Sequence, residues 1–136
     1  MRASHPPGYN MFSHVMMGSN DLTRSKTFYD ALFEALGAKP ATIDEKGRLV
    51  YQHKGGLLMV TRPIDGQPAT VANGGTIGIA CGSPEQVEAW HAAGLANGGT
   101  TCEDPPGVRE LSTMRLYLAY LRDPDGHKLC GLFWMG

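Results

Sequence analysis

Cysteine is scarce in this chain. There are three in 136 residues, Cys81, Cys102 and Cys130, at unrelated spacings and with no CxxC pair. That argues against a disulfide framework or a cysteine-built zinc knuckle, and points to a reduced, cytoplasmic protein. No apolar run approaches the ~20 residues that cross a bilayer, so no membrane association is expected. The opening stretch MRASHPPGYN lacks the apolar centre of a signal peptide. Charge excess of either sign is missing too: 12 Lys and Arg stand against 13 Asp and Glu, for a net charge of −1. No basic run is dense enough to track a phosphate backbone, so nucleic acid is not an expected partner.

What is present is a repeat. His14–Gly37 reads HVMMGSNDLTRSKTFYDALFEALG, and Thr76–Gly99 reads TIGIACGSPEQVEAWHAAGLANGG. A constant 62 residues separate His14 from Thr76, Asp21 from Ser83, Phe28 from Trp90 and Gly37 from Gly99. Each copy is a short apolar strand, a polar turn with a cap, an amphipathic helix with an aromatic pair, and a glycine stop. A unit of about 60 residues buries too little surface to stand alone, so both copies are expected within one domain, enclosing a shared cleft.

Met11–Gly18 reads as a strand with Phe12, His14 and Met16 on one face, since side chains alternate with period two. Asn20 or Asp21 caps a helix whose apolar positions recur at three-to-four spacing up to Gly37. Strands follow at Ala41–Ile43, Leu49–His53 and Leu57–Arg62, the last two joined by a tight turn at Lys54-Gly55-Gly56. The first module, about residues 11–63, is thus β-α-β-β-β, and a Pro/Gly-rich linker occupies 64–75. The second module, about 76–135, opens with Thr76–Cys81. Ser83, Pro84 and Gln86 then make a strong helix start. After a short strand at Thr100–Cys102, Glu103–Met114 reads as a long loop of the lid or binding kind. Leu116–Leu121 and Lys128–Trp134 form a closing hairpin across Asp123-Pro124-Asp125-Gly126.

HVMMGSNDL on a first strand, the helix SKTFYDALFEALG, a GQPAT linker and a closing RDPDGHKL hairpin together resemble the vicinal oxygen chelate superfamily: glyoxalases, bleomycin-resistance proteins and extradiol dioxygenases. The likeness covers about Met11–Phe133. It implies an α+β fold of two tandem βαβββ modules, forming a curved mixed sheet around a cavity, and assembly as a homodimer. In metal-using members a divalent ion such as Zn, Ni, Mn or Fe chelates neighbouring substrate oxygens there, held by His and Glu from first and last strands. Carried over position by position, these ligands fall on His14, Met59, Thr76 or Ile77, and Cys130. One good ligand and one soft one remain, too few for a site that needs three or four N/O donors. No cofactor is therefore expected, and His14 is a metal ligand only if a metal binds at all.

His14 reads as a ligand, a general base or a satisfied core histidine; a cavity-lining imidazole survives loss of the ion. Cys130 reads as a small buried hydrophobe or as a reactive thiol. Tyr51 and Tyr117 sit on presumed cavity strands and either line the pocket or pack in the core. Met59 belongs to a Met-rich, adaptable lining. His5, His53 and His127 are expected at the surface, and His91 in packing or solvent contact. Arg109, Glu110 and Arg115 either cap a ligand or keep the long loop solvated. The function expected is binding of a small, partly hydrophobic molecule in the sheet cavity through His14, Met59, Tyr51, Tyr117 and Cys130. The alternative is a lyase, isomerase or dioxygenase-type enzyme, metal-dependent or using His14 as base.

Overall fold

The computed structural model describes residues 11–136; His5 and the MRASHPPGYN stretch lie outside them. Each repeat begins as its sequence dictates. Strand β1 (Val15–Gly18) leads to helix α1 (Leu22–Ala35), capped by Asp21, whose carboxylate accepts the Arg24 backbone N–H at 3.0 Å. Strand β5 (Ile77–Ala80) leads to helix α2 (Pro84–Ala96), where Ser83 Oγ accepts from the Gln86 N–H at 3.0 Å. Both the strands and the helices start 62 residues apart.

β2 (Thr42–Ile43), β3 (Leu49–His53) and β4 (Gly56–Thr61) complete the first sheet in the order β1-β4-β3-β2, with β1 parallel to β4. The second sheet contains β6 (Thr100–Thr101), β7 (Gly107–Leu111), β8 (Met114–Arg122) and β9 (Lys128–Trp134). Its order is β5-β9-β8-β6, with β5 parallel to β9, and β7 also pairs with β8. The fold is therefore α+β, with two helices and nine strands in two curved, unclosed mixed sheets among the described residues.

Two local expectations need correction. Glu103–Met114 is not a structureless loop: Gly107–Leu111 pairs with Leu118–Met114 as a hairpin arm turning at Ser112, which takes a left-handed φ of 53°. The nine-residue β8 is long enough to carry two partners along one edge, β6 beside Leu121–Arg122 and β7 beside Met114–Leu118. The first strand is also shorter than its apolar run, because its ladder with β4 begins only at Val15 opposite Leu58.

Residues opposite one another in a ladder share a face. In the first sheet Met17, Leu49, Tyr51, Leu58 and Val60 turn toward the helices and join Phe28, Tyr29, Leu32 and Phe33 in one core. In the second, Ala119, Leu121 and Leu129 do the same beneath Trp90. Gly131 gives that indole room: a Cβ there would lie 2.7 Å from Trp90 Cε3. The opposite face of the second sheet holds a smaller cluster of Leu116, Leu118 and Cys130.

The modules are locked together by the closing hairpin. Asp125, whose side chain is 2 % exposed, accepts from the Asn20 N–H (3.0 Å) and from Arg24 Nη2 (2.8 Å) at the start of α1. Asp123 accepts the Tyr29 hydroxyl at 2.5 Å on one oxygen, and the Asp125 and His127 N–H groups, each at 2.9 Å, on the other. His127 Nε2 donates to the Gly18 carbonyl at 2.8 Å, so this histidine is half-buried in the joint rather than at the surface. β1 and β5, the edge strands of their sheets, are left facing one another across a seam.

A candidate pocket in the seam between the sheets

A cleft of about 320 Å³ runs along that seam. One wall is the segment leading into β1 (Phe12–Val15) and the opposite wall is β5 (Ile77–Ala80). Its floor is aromatic: Phe33 of α1 stacks on Tyr51 of β3, ring centroids 4.7 Å apart and planes 17° from parallel. Leu57 and Leu58 add aliphatic surface from β4. Tyr51 lies beneath the cleft, 2 % exposed, with its hydroxyl donating to Asp30 Oδ1 at 2.7 Å. Burial and that carboxylate push the Tyr51 phenol far above its ordinary range. Burial works to raise Asp30, yet the Ala41 N–H, Lys26 and Tyr51 together hold its carboxyl below the usual carboxylate value. Asp30 is thereby a fixed anchor for the floor, on the far side of the ring from the cleft.

The mouth is polar. His14 stands there, exposed, with Ser13 Oγ 2.9 Å from its Nδ1. His53 and Lys54 come from the tip of the β3–β4 hairpin. Lys54 (φ 49°) and Gly55 (φ 85°) are both left-handed, as a two-residue hairpin with this twist requires. No Asp or Glu lines the cleft among the described residues.

Of the residues singled out from the sequence, His14 and Tyr51 come together in this cleft. The other three lie elsewhere. Met59 is the ladder partner of Met16, on the face turned away from the helices. Cys130 is 5 % exposed and packs with Leu116, Leu118 and Tyr120, and burial pushes its thiol up, away from the reactive thiolate. Tyr117 turns to the helix side and donates to Glu88 of α2. His91 is buried, its Nε2 3.0 Å from Thr101 Oγ1, and desolvation lowers its pKa. Arg109 holds the Asp104 and Pro105 carbonyls, and Arg115 pairs with Glu110 across the β7–β8 hairpin, so none of the three reaches the seam. Sequence reading missed Phe33, His53, Lys54 and the small residues Gly78 and Ala80. Phe33 was not singled out from the spacing of its helix, and nothing local tells that β5 will face β1.

Among the described residues no three His, Cys, Asp or Glu side chains come close enough together to hold an ion. His14 shares its cleft with one other such residue, His53, and the Met59 and Cys130 positions are on other surfaces. This donor set does not fit a family-type centre.

Two strand–helix–sheet modules with a cleft between their sheets define the fold. The chain belongs to the Glyoxalase/Bleomycin resistance protein/Dioxygenase superfamily, whose family model matches residues 11–130. It is similar to a glyoxalase/bleomycin resistance protein from Albidiferax ferrireducens T118, with 57% sequence identity over 91% of this chain and 98% of that one, and a TM-score of 0.85. More distant structures share the fold. A glyoxalase-related enzyme from Fulvimarina pelagi has 20% identity over 91% of this chain and 88% of its own, TM-score 0.67. A glyoxalase/bleomycin resistance protein/dioxygenase family enzyme from Burkholderia phytofirmans PsJN has 14% identity over 89% and 96%, TM-score 0.63. Comparison with curated proteins returns no match.

Proposed function

We propose that this protein binds a small, partly hydrophobic molecule in the seam between its two sheets, and does so without the family's metal centre. The observation that carries the reading is the cleft itself: an aromatic floor and aliphatic walls, with polar groups only at the mouth. Its volume of about 320 Å³ is at the small end of the range ligand pockets occupy, which suits a molecule of one or two rings. Burying such a body against the Phe33–Tyr51 stack contributes about 25 cal/mol per Å² of apolar surface removed from water.

A second reading, a lyase or isomerase using His14 as base, draws on one observation: the hydrogen bond to Ser13 orients the imidazole at the mouth of the same cleft. Both readings place the ligand at one site, so binding is the step to test first.

Val15 offers the test. It lines the cleft, is half-buried, and is the ladder partner of Leu58 on the helix-facing side of the first sheet. Val15→Phe therefore projects a ring from the cleft's own face and keeps a β-favouring residue in the strand. Titrated with the neutral fluorophore N-phenyl-1-naphthylamine, the wild-type protein is expected to give a saturable rise in emission. Val15→Phe is expected to weaken that binding at least fivefold. Equal binding by both proteins contradicts the seam as the site.

A further inference from the structure

We infer that the molecule held in the seam carries an anionic group, and that Lys54 at the tip of the β3–β4 hairpin, with His53 beside it, is where that group docks. The inference rests on the seam being the binding site. Three observations support it. The first is the imbalance of polar groups at the mouth: His14, His53 and Lys54 line the cleft, and no Asp or Glu does so among the described residues. The second is a neighbouring recess of about 370 Å³ that shares His53 and Lys54 with the cleft and adds Lys39, again without an acid among its described lining residues. Two cavities thus meet at one cationic hairpin tip.

The third observation is conformational. Lys54 occupies the first central position of the two-residue turn with a φ of 49°. That left-handed position favours glycine, asparagine or aspartate, and an ordinary side chain there is disfavoured. A lysine at such a position, lining the mouth of an apolar cleft, is not what the turn itself favours. The salt bridges among the described residues use Arg24, Lys26, Arg48, Arg115 and Lys128, and Lys54 is in none of them. An ammonium group in that place offers three donors and a charge to a carboxylate or phosphate-like oxygen, while the apolar body of the ligand lies on the Phe33–Tyr51 floor.

The test is a matched pair of ligands on the intact chain, measured by isothermal titration calorimetry. 1-Naphthaleneacetate and 1-naphthaleneacetamide share one ring system and differ in charge. The acid is expected to bind about tenfold more tightly than the amide, with the advantage shrinking at 1 M salt as screening grows. Lys54→Asn removes the cation and suits the left-handed turn, so the fold is kept. It is expected to lose the acid's advantage, bind the amide as the wild type does and melt no lower. Equal affinity for acid and amide in the wild type, or an acid preference that survives in Lys54→Asn, overturns the anion site and leaves the seam reading standing. Binding of neither compound, together with no response to N-phenyl-1-naphthylamine, overturns both.

Discussion

At the scale of single residues, the buried tyrosines set how this protein responds to base. Tyr29 is 1 % exposed, and burial first, then the Asp123 carboxylate it donates to, raises its pKa well above the ordinary value. Tyr51 is shifted in the same direction by burial and by Asp30. A phenol whose folded-state pKa is raised stays protonated in the native protein while the unfolded chain ionises near pH 10. The stability it contributes is therefore complete below about pH 10 and is lost as pH climbs above it, by about 1.4 kcal/mol per pH unit for each such tyrosine. Urea unfolding midpoints from pH 8 to 11 are expected to hold level and then fall. Tyr29→Phe is expected to cost about 1.5–3 kcal/mol at pH 8, because a donor to a buried carboxylate is removed, and to flatten the alkaline fall. A Tyr29→Phe protein with wild-type stability at pH 8 counts against the hydrogen bond. The residues that sequence alone identified divide on the same physical basis. His14 was read from family position and Tyr51 from its depth in the hairpin; both line the cleft. Cys130 and Tyr117 were read from family position and depth, and neither reveals that the side chain turns to another surface.

At the scale of elements, the closing hairpin is more than a turn. Its Asp-Pro-Asp-Gly sequence predicts the reversal, and Gly126 with its φ of 102° supplies the positive angle required. What the sequence does not reveal is that the two carboxylates bond to residues of α1 and of the turn before it, about 100 positions away. Asp125 is almost wholly buried, whereas the Arg24 side chain is 45% exposed. The two halves of that ion pair should therefore respond unequally. Asp125→Ala leaves the Asn20 N–H and its neighbours without their acceptor, and is expected to lower unfolding free energy by about 1–3 kcal/mol. Arg24→Ala is expected to cost less than about 1 kcal/mol, the usual worth of a partly exposed pair. Urea denaturation of the two variants checks the order; equal losses would mean that the ion pair, not the backbone contact, holds the modules. The helices were legible at nearly residue resolution, since Asp21 and Ser83 are caps that sequence chemistry announces. β7 was not, because Pro105 and Pro106 precede it and Val108-Arg109-Glu110 carries only one apolar residue, so its pairing with β8 is decided by the length of β8.

At the scale of the whole molecule, the 62-residue repeat explains both the fold and the location of its pocket. Two modules that each begin with a strand parallel to their last strand leave β1 and β5 as edges. Setting those edges opposite one another produces the seam, with α1 closing it from below through Phe33. The repeat was visible in the sequence and so was the existence of a shared cleft. Its exact lining was not, because it depends on how the two edges are set, which the hairpin joint between distant residues decides. The family-model match places the chain in the Glyoxalase/Bleomycin resistance protein/Dioxygenase superfamily. The account therefore turns on where a ligand goes. The most direct measurement is ¹⁵N–¹H chemical-shift mapping of the full chain during titration with N-phenyl-1-naphthylamine. Shifts clustered on Ser13–Val15, Tyr51–Leu58 and Ile77–Ala80 are the predicted result. Shifts clustered instead on Leu116–Tyr120 and Cys130–Leu132 would place the ligand on the far face of the second sheet and contradict the account.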